Sequence, residues 1–133
     1  MGEININGNI FIFQDIELTY ENATIIDPSI AKNNLLDLKK ILDEHKVKFL
    51  IMHGTLLGAI REQKFIKHDI DIDTCTFDER GLINTIPALD KAGLKLCRYE
   101  KNLIYSFIKD GIYIDVQHTS TTSAVSLSLI SLP

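Results

Sequence analysis

The sequence predicts an α/β (α+β) domain, with a mixed sheet flanked by helices and a β-hairpin at the N-terminus. Three observations carry this. Apolar residues alternate on both sides of Asn7-Gly8-Asn9. They recur at helical spacing after Asp27-Pro28. Beyond Lys48, short strand-like runs are separated by helical stretches and glycine turns. With 133 residues and no linker composition or internal repeat, 1–133 reads as one domain around a single core.

The elements follow in order. Ile4 and Ile6, then Ile10 to Phe13, then Ile16 and Leu18, predict a hairpin within residues 1–20. Asp27 is placed to cap a helix with Pro28 at its first position. Ile30, Leu35, Leu38, Ile41, Leu42 and His45 form its apolar stripe, widened by Leu36, through about residue 46. Residues 48–52 read as a buried strand. Gly54-Thr55 interrupts it, and 55–61 read as a second, short helix. Residues 70–77 alternate as a strand. Glu79 to Ala92 is helical, with Leu82, Ile83, Ile86 and Leu89 on one side. Pro87 within it predicts a kink or a division, and Gly93 ends it. Strands follow at 94–99, 103–109 and 112–118, joined by turns at Lys101-Asn102 and Asp110-Gly111. The Ser/Thr-rich segment 119–133 reads as an edge strand or a loose tail.

Composition narrows the function. Net charge is −4, which argues against a nucleic-acid partner bound through a broad basic surface. No apolar run approaches the roughly 18 residues of a membrane span, and no secretory leader opens the sequence. Cys75 and Cys97 lack CxxC spacing and fall in predicted strands, so reduced, buried thiols are expected. These points predict a cytoplasmic protein. The oligomeric state is left open.

The chemistry concentrates between His53 and Glu79. Alternation puts Asp69, Asp71 and Asp73 on one strand face and Ile70 and Ile72 on the other. Successive aspartates then lie about 7 Å apart. Such a row of like charges is unfavourable without a cation over it. Mg²⁺ (or Mn²⁺) suits it, because a hard ion takes carboxylate oxygens and keeps sites for water and phosphate. In 112–118, Asp115 falls on the face opposite Ile112, Ile114 and Val116. If the two strands are neighbours, Asp115 completes the acidic group. A solvated acidic strand face is the plainer alternative. An EF-hand is excluded: Thr74 stands where the loop needs Gly, and Arg80 where it needs Glu.

Gly54-Thr55, at the start of a predicted helix after a strand, offers free N–H groups, close backbone approach and a hydroxyl to a phosphate. The same step also reads as an ordinary helix start with Thr55 as its cap. Arg61 has the geometry for bidentate phosphate contact. Lys64 and Lys67 read as a solvated loop. His45 reads as helix packing, while His53, His68 and His118 carry no assignment.

The stretch GTLLGAIREQKFIKHDIDID resembles the signature of LicD-type, fukutin-like proteins, within the nucleotidyltransferase superfamily. Gly54-Thr55, Asp71-Ile72-Asp73 and Asp115 fall at the three places of the superfamily pattern. The sequence departs from the signature at Lys67-His68, where Pro-Trp is usual, and at Ile70, where Asp is usual. The resemblance implies a nucleotidyltransferase-like fold. It implies a metal-dependent transferase moving a phospho-group, phosphocholine-like, from a nucleotide-activated donor to a sugar or glycan hydroxyl. The product would be a surface polysaccharide or lipopolysaccharide carrying phosphocholine. Asp71, Asp73 and Asp115 would be catalytic and metal-binding, with Asp69 a further ligand. Gly54, Thr55 and Arg61 would hold the nucleotide. Two alternatives stay open. One is a nucleotidyltransferase adding a nucleoside monophosphate from a triphosphate to a small molecule or protein. The other is a truncated, non-catalytic nucleotide-binding domain.

Overall fold

The computed structural model describes residues 1–16, 28–52, 71–118 and 124–126, with 28, 31, 51–52, 71–73 and 124–126 described by backbone alone. The architecture is mixed α/β. A two-stranded hairpin, β1 (Gly2–Ile6) and β2 (Asn9–Phe13), precedes helix α1 (Pro28–Glu44). Strands β3 (Phe49–Met52) and β4 (Asp71–Thr76), helix α2 (Glu79–Lys91), and strands β5 (Lys95–Glu100), β6 (Ile104–Lys109), β7 (Ile112–His118) and β8 (Ala124–Ser126) follow. Among the described residues, the larger sheet has six strands in the order β5-β6-β7-β4-β3-β8. The β4–β7 pairing is parallel, and its other pairings are antiparallel.

Turn chemistry explains the hairpin. Asn7 and Gly8 both have positive φ, 53° and 88°, as a two-residue primed turn requires. The expected turn is therefore one residue shorter, and Asn9 begins β2. The expected extension of the hairpin through Ile16 is corrected too. Ile16 lies past β2 and donates its N–H to the Cys97 carbonyl, while Leu18 lies outside the described residues.

The helices end through local chemistry. Lys46 adopts φ 59°, and the Val47 N–H reaches back to the Leu42 carbonyl, which closes α1. At α2, Asp78 caps the first turn by accepting from the Gly81 N–H. Gly81 is required for this closeness: a Cβ there would meet the Asp78 carboxylate at 2.2 Å. Gly93, at φ 92°, ends α2, and the Leu94 N–H bonds the Leu89 carbonyl. Pro87 lies inside α2 without dividing it.

One core joins these elements. Leu35, Leu38 and Leu42 from α1 meet Leu82, Ile86 and Leu89 from α2 over Leu96, Tyr105, Phe107, Ile112, Ile114 and Val116 of the sheet. The hairpin adds Ile4, Ile6 and Phe13, and Phe13 packs edge-on against Tyr99. Strand β8, at 124–126, pairs with β3 at the edge of the described sheet, and the rest of 119–133 lies outside the described residues. The expected helix over 55–61 lies outside the described residues. No described helix is long and apolar enough to cross a membrane.

Candidate active site

The decisive geometry is the parallel pairing of β4 with β7. It sets Asp71 beside Tyr113, Ile72 beside Ile114 and Asp73 beside Asp115. Paired positions in neighbouring strands belong to the same face of a sheet. The expected neighbourhood of these two strands is thus met at the level of register. The apolar positions Ile112, Ile114 and Val116 face the helices, as their burial in the core requires.

Asp115 is only 5% exposed. Burying a carboxylate is costly unless it is hydrogen-bonded or paired. Its surroundings answer this. Ser106, its register partner on β6, donates from Oγ to Asp115 Oδ1 at 2.6 Å. Arg98, the partner of Ser106 on β5, donates from Nε to Ser106 Oγ at 3.0 Å. Its Nη2 lies 4.0 Å from Asp115 Oδ2. On the backbone side, Thr74 Oγ1 donates to the Asp115 carbonyl at 3.0 Å. Asp73, Asp115, Ser106 and Arg98 therefore form one row across four neighbouring strands.

A bulge makes this row possible. The register slips between Leu96 and Arg98, so Leu96 pairs with Phe107 and Arg98 with Ser106. Cys97 is the extra residue. In a regular strand, Arg98 would share the core-facing side with Leu96. Alternation in the sequence therefore hides Arg98, and nothing in the pattern marks Ser106. Sequence reasoning missed both. Cys97 is itself buried, as is Cys75, and both are free thiols, as expected. Burial pushes the Cys97 thiol up to about 11, with the Asp115 carboxylate adding to the shift. Burial also raises Cys75. These are not reactive cysteines.

The other candidate residues divide as follows. Gly54, Thr55, Arg61 and Asp69 lie outside the described residues, as do His53, Lys64, Lys67 and His68. The side chains of Asp71 and Asp73 do as well. Among the described side chains, no three His, Cys, Asp or Glu groups come together. His45 is exposed past the end of α1, with Nδ1 2.9 Å from the Ile41 carbonyl, so its expected packing role is corrected: it caps the helix end locally and does not join the core. His118 lies 3.4 Å from the Asn102 carbonyl, at the far end of β7 from Ile112. A cavity of about 640 Å³ opens elsewhere, among Ile4, Asn7, Glu79, Asn84 and Tyr105, and Asp115 does not line it.

Register pairing puts two aspartate positions side by side on adjacent strands, and carboxylates at such positions would supply hard-oxygen donors. Carboxylate oxygens suit Mg²⁺ or Mn²⁺ better than softer ions. A cation there would also relieve repulsion between the paired positions.

The family model described as LicD/FKTN/FKRP, nucleotidyltransferase domain, matches residues 46–130. The chain belongs to this family, as the signature resemblance implied. The family is generally one of transferases, with phosphotransferase-type or glycan-modifying roles. The match spans β3 to β8 and includes every candidate site residue named above. No curated protein and no solved structure matches the chain.

Proposed function

We propose that this domain is a Mg²⁺- or Mn²⁺-dependent transferase that moves a phospho-group from a nucleotide-activated donor to a sugar or glycan hydroxyl. The observation that carries the reading is the register pairing of Asp73 with the buried, hydrogen-bonded Asp115. Membership of the LicD/FKTN/FKRP family supports the class of chemistry. A phosphocholine-like group and a surface glycan are the finer form of this reading, with the cytoplasm as its location.

Asp71, Asp73 and Asp115 would hold the ion, with Asp69 as a further ligand. Bound there, a divalent cation neutralises charge on the phosphate and orients it for attack. Gly54 and Thr55 hold the donor phosphates through N–H groups and a hydroxyl. Arg61 balances the charge that grows as the phospho-group moves. Asp115 helps remove the proton of the attacking hydroxyl as the bond between the phospho-group and the donor nucleotide breaks.

Incubation with CDP-choline, a glycan acceptor and Mg²⁺ tests this. Release of CMP with phosphocholine on the acceptor supports it. Pyrophosphate release from a nucleoside triphosphate, with the nucleoside monophosphate on the acceptor, would instead establish the second reading. Turnover that persists in full after exhaustive chelation would exclude both.

A further inference from the structure

We propose that Ser106 and Arg98 are positioning residues that fix which oxygen of Asp115 is offered to a divalent cation. This rests on the functional reading above and adds two residues to it. The argument is one of donors and acceptors. An arginine side chain has N–H donors and no acceptor. Arg98 Nε occupies an acceptor position on Ser106 Oγ at 3.0 Å. The single hydroxyl proton of Ser106 must then go elsewhere. It goes to Asp115 Oδ1 at 2.6 Å.

The direction of the chain is thus set at its exposed end and transmitted inward. Arg98 is 40% exposed, whereas Ser106 is fully buried and Asp115 nearly so. One carboxylate oxygen is engaged by the hydroxyl. Among the described residues the other, Oδ2, meets only the Arg98 guanidinium, in an ion pair at 4.0 Å, and takes no hydrogen bond. The Thr74 hydroxyl bonds the Asp115 carbonyl from the other side, so the backbone is also held. Asp115 is presented as a one-oxygen ligand beside the register position of Asp73. Groups that orient a metal's ligands in this way commonly set affinity as strongly as they set activity.

The test reads Mn²⁺ affinity by electron paramagnetic resonance, without any substrate. Folding is monitored in parallel by circular dichroism. Ser106→Ala is expected to bind Mn²⁺ about 10- to 100-fold more weakly than the parent. Ser106→Thr restores the hydroxyl and is expected to restore affinity. Arg98→Lys keeps the charge but removes the Nε–H, and is expected to weaken binding by about tenfold. An Ser106→Ala protein that is folded and binds as tightly as the parent overturns the proposal. If Ser106→Ala does not fold, Arg98→Lys decides: parental affinity overturns the proposal and weakened affinity supports it. Asp115→Asn separates the two levels. Unchanged affinity in Asp115→Asn removes the metal site itself, and with it this inference. Affinity lost in Asp115→Asn but kept in Ser106→Ala removes the positioning role alone.

Discussion

The two faces of the central sheet are built from the same strands, and at its middle both bury their side chains, yet different forces hold them. On β6, Tyr105 and Phe107 turn to the helices while Ser106 turns away, and all three are fully buried. On β7, Ile114 and Val116 enter the core, whereas Asp115 lies between them on the other side at 5% exposure. The helix-covered face gains from apolar area removed from water, about 25 cal/mol per Å². The opposite face gains nothing comparable from burying a carboxylate. It depends on specific donors, and one missing partner leaves a charge stranded. Burial alone therefore does not separate framework from chemistry here. The kind of neighbour does.

That contrast can be broken at either face. The largest effect is expected from Asp71→Ala combined with Asp73→Ala. Transferase turnover and Mn²⁺ binding should fall to background, while the melting temperature holds or rises as repulsion is relieved. A drop of several degrees would show that these acids support the fold instead. On the helix-covered face, Phe107→Ala should cost about 3–5 kcal/mol in urea unfolding. An effect below 1 kcal/mol would mean the core is not packed as described. Asp78→Ala removes the cap of α2, away from both faces. It should lower stability by about 1 kcal/mol and leave Mn²⁺ affinity unchanged.

The smallest expected effect is a pH dependence from the apolar side. Burial, then the hydrogen bond to Glu79, raises the Tyr105 phenol above its ordinary 10.0. The folded state thus keeps a proton that the unfolded chain gives up. Stability from this group is full below pH 10.0 and is lost as pH climbs beyond it. Urea midpoints taken from pH 9 to 11 should fall, and Tyr105→Phe should make the fall shallower. An equal fall in both proteins would place the titrating group elsewhere.

Most of the framework was legible because local rules decide it. The strand at Ile112–His118 appears with the bounds expected of it, and α2 ends at Gly93 because only a left-handed residue closes it there. Pro87 predicts a kink or a division; the helix runs through it undivided, with Leu82, Ile86 and Leu89 of the same helix buried in the core. Of the candidate site, the adjacency of the Asp73 and Asp115 strands could be anticipated from two Asp-bearing alternating runs. Arg98 and Ser106 could not. The bulge at Cys97 shifts Arg98 to the other face, and strict alternation has no means of signalling an inserted residue. Gly54, Thr55, Arg61 and Asp69 lie outside the described residues, so their reading stays with the proposal.

The strand order also constrains how this protein comes into being. β7 lies between β6 and β4, in the interior of the described sheet. Only β6 adjoins it in sequence, and the contact with β4 reaches back across α2, β5 and β6. The acids must therefore be brought together by assembly of the whole sheet. Before β7 docks on β4, a nascent chain would hold Asp73 without Asp115 beside it, and the pairing would arrive in one step.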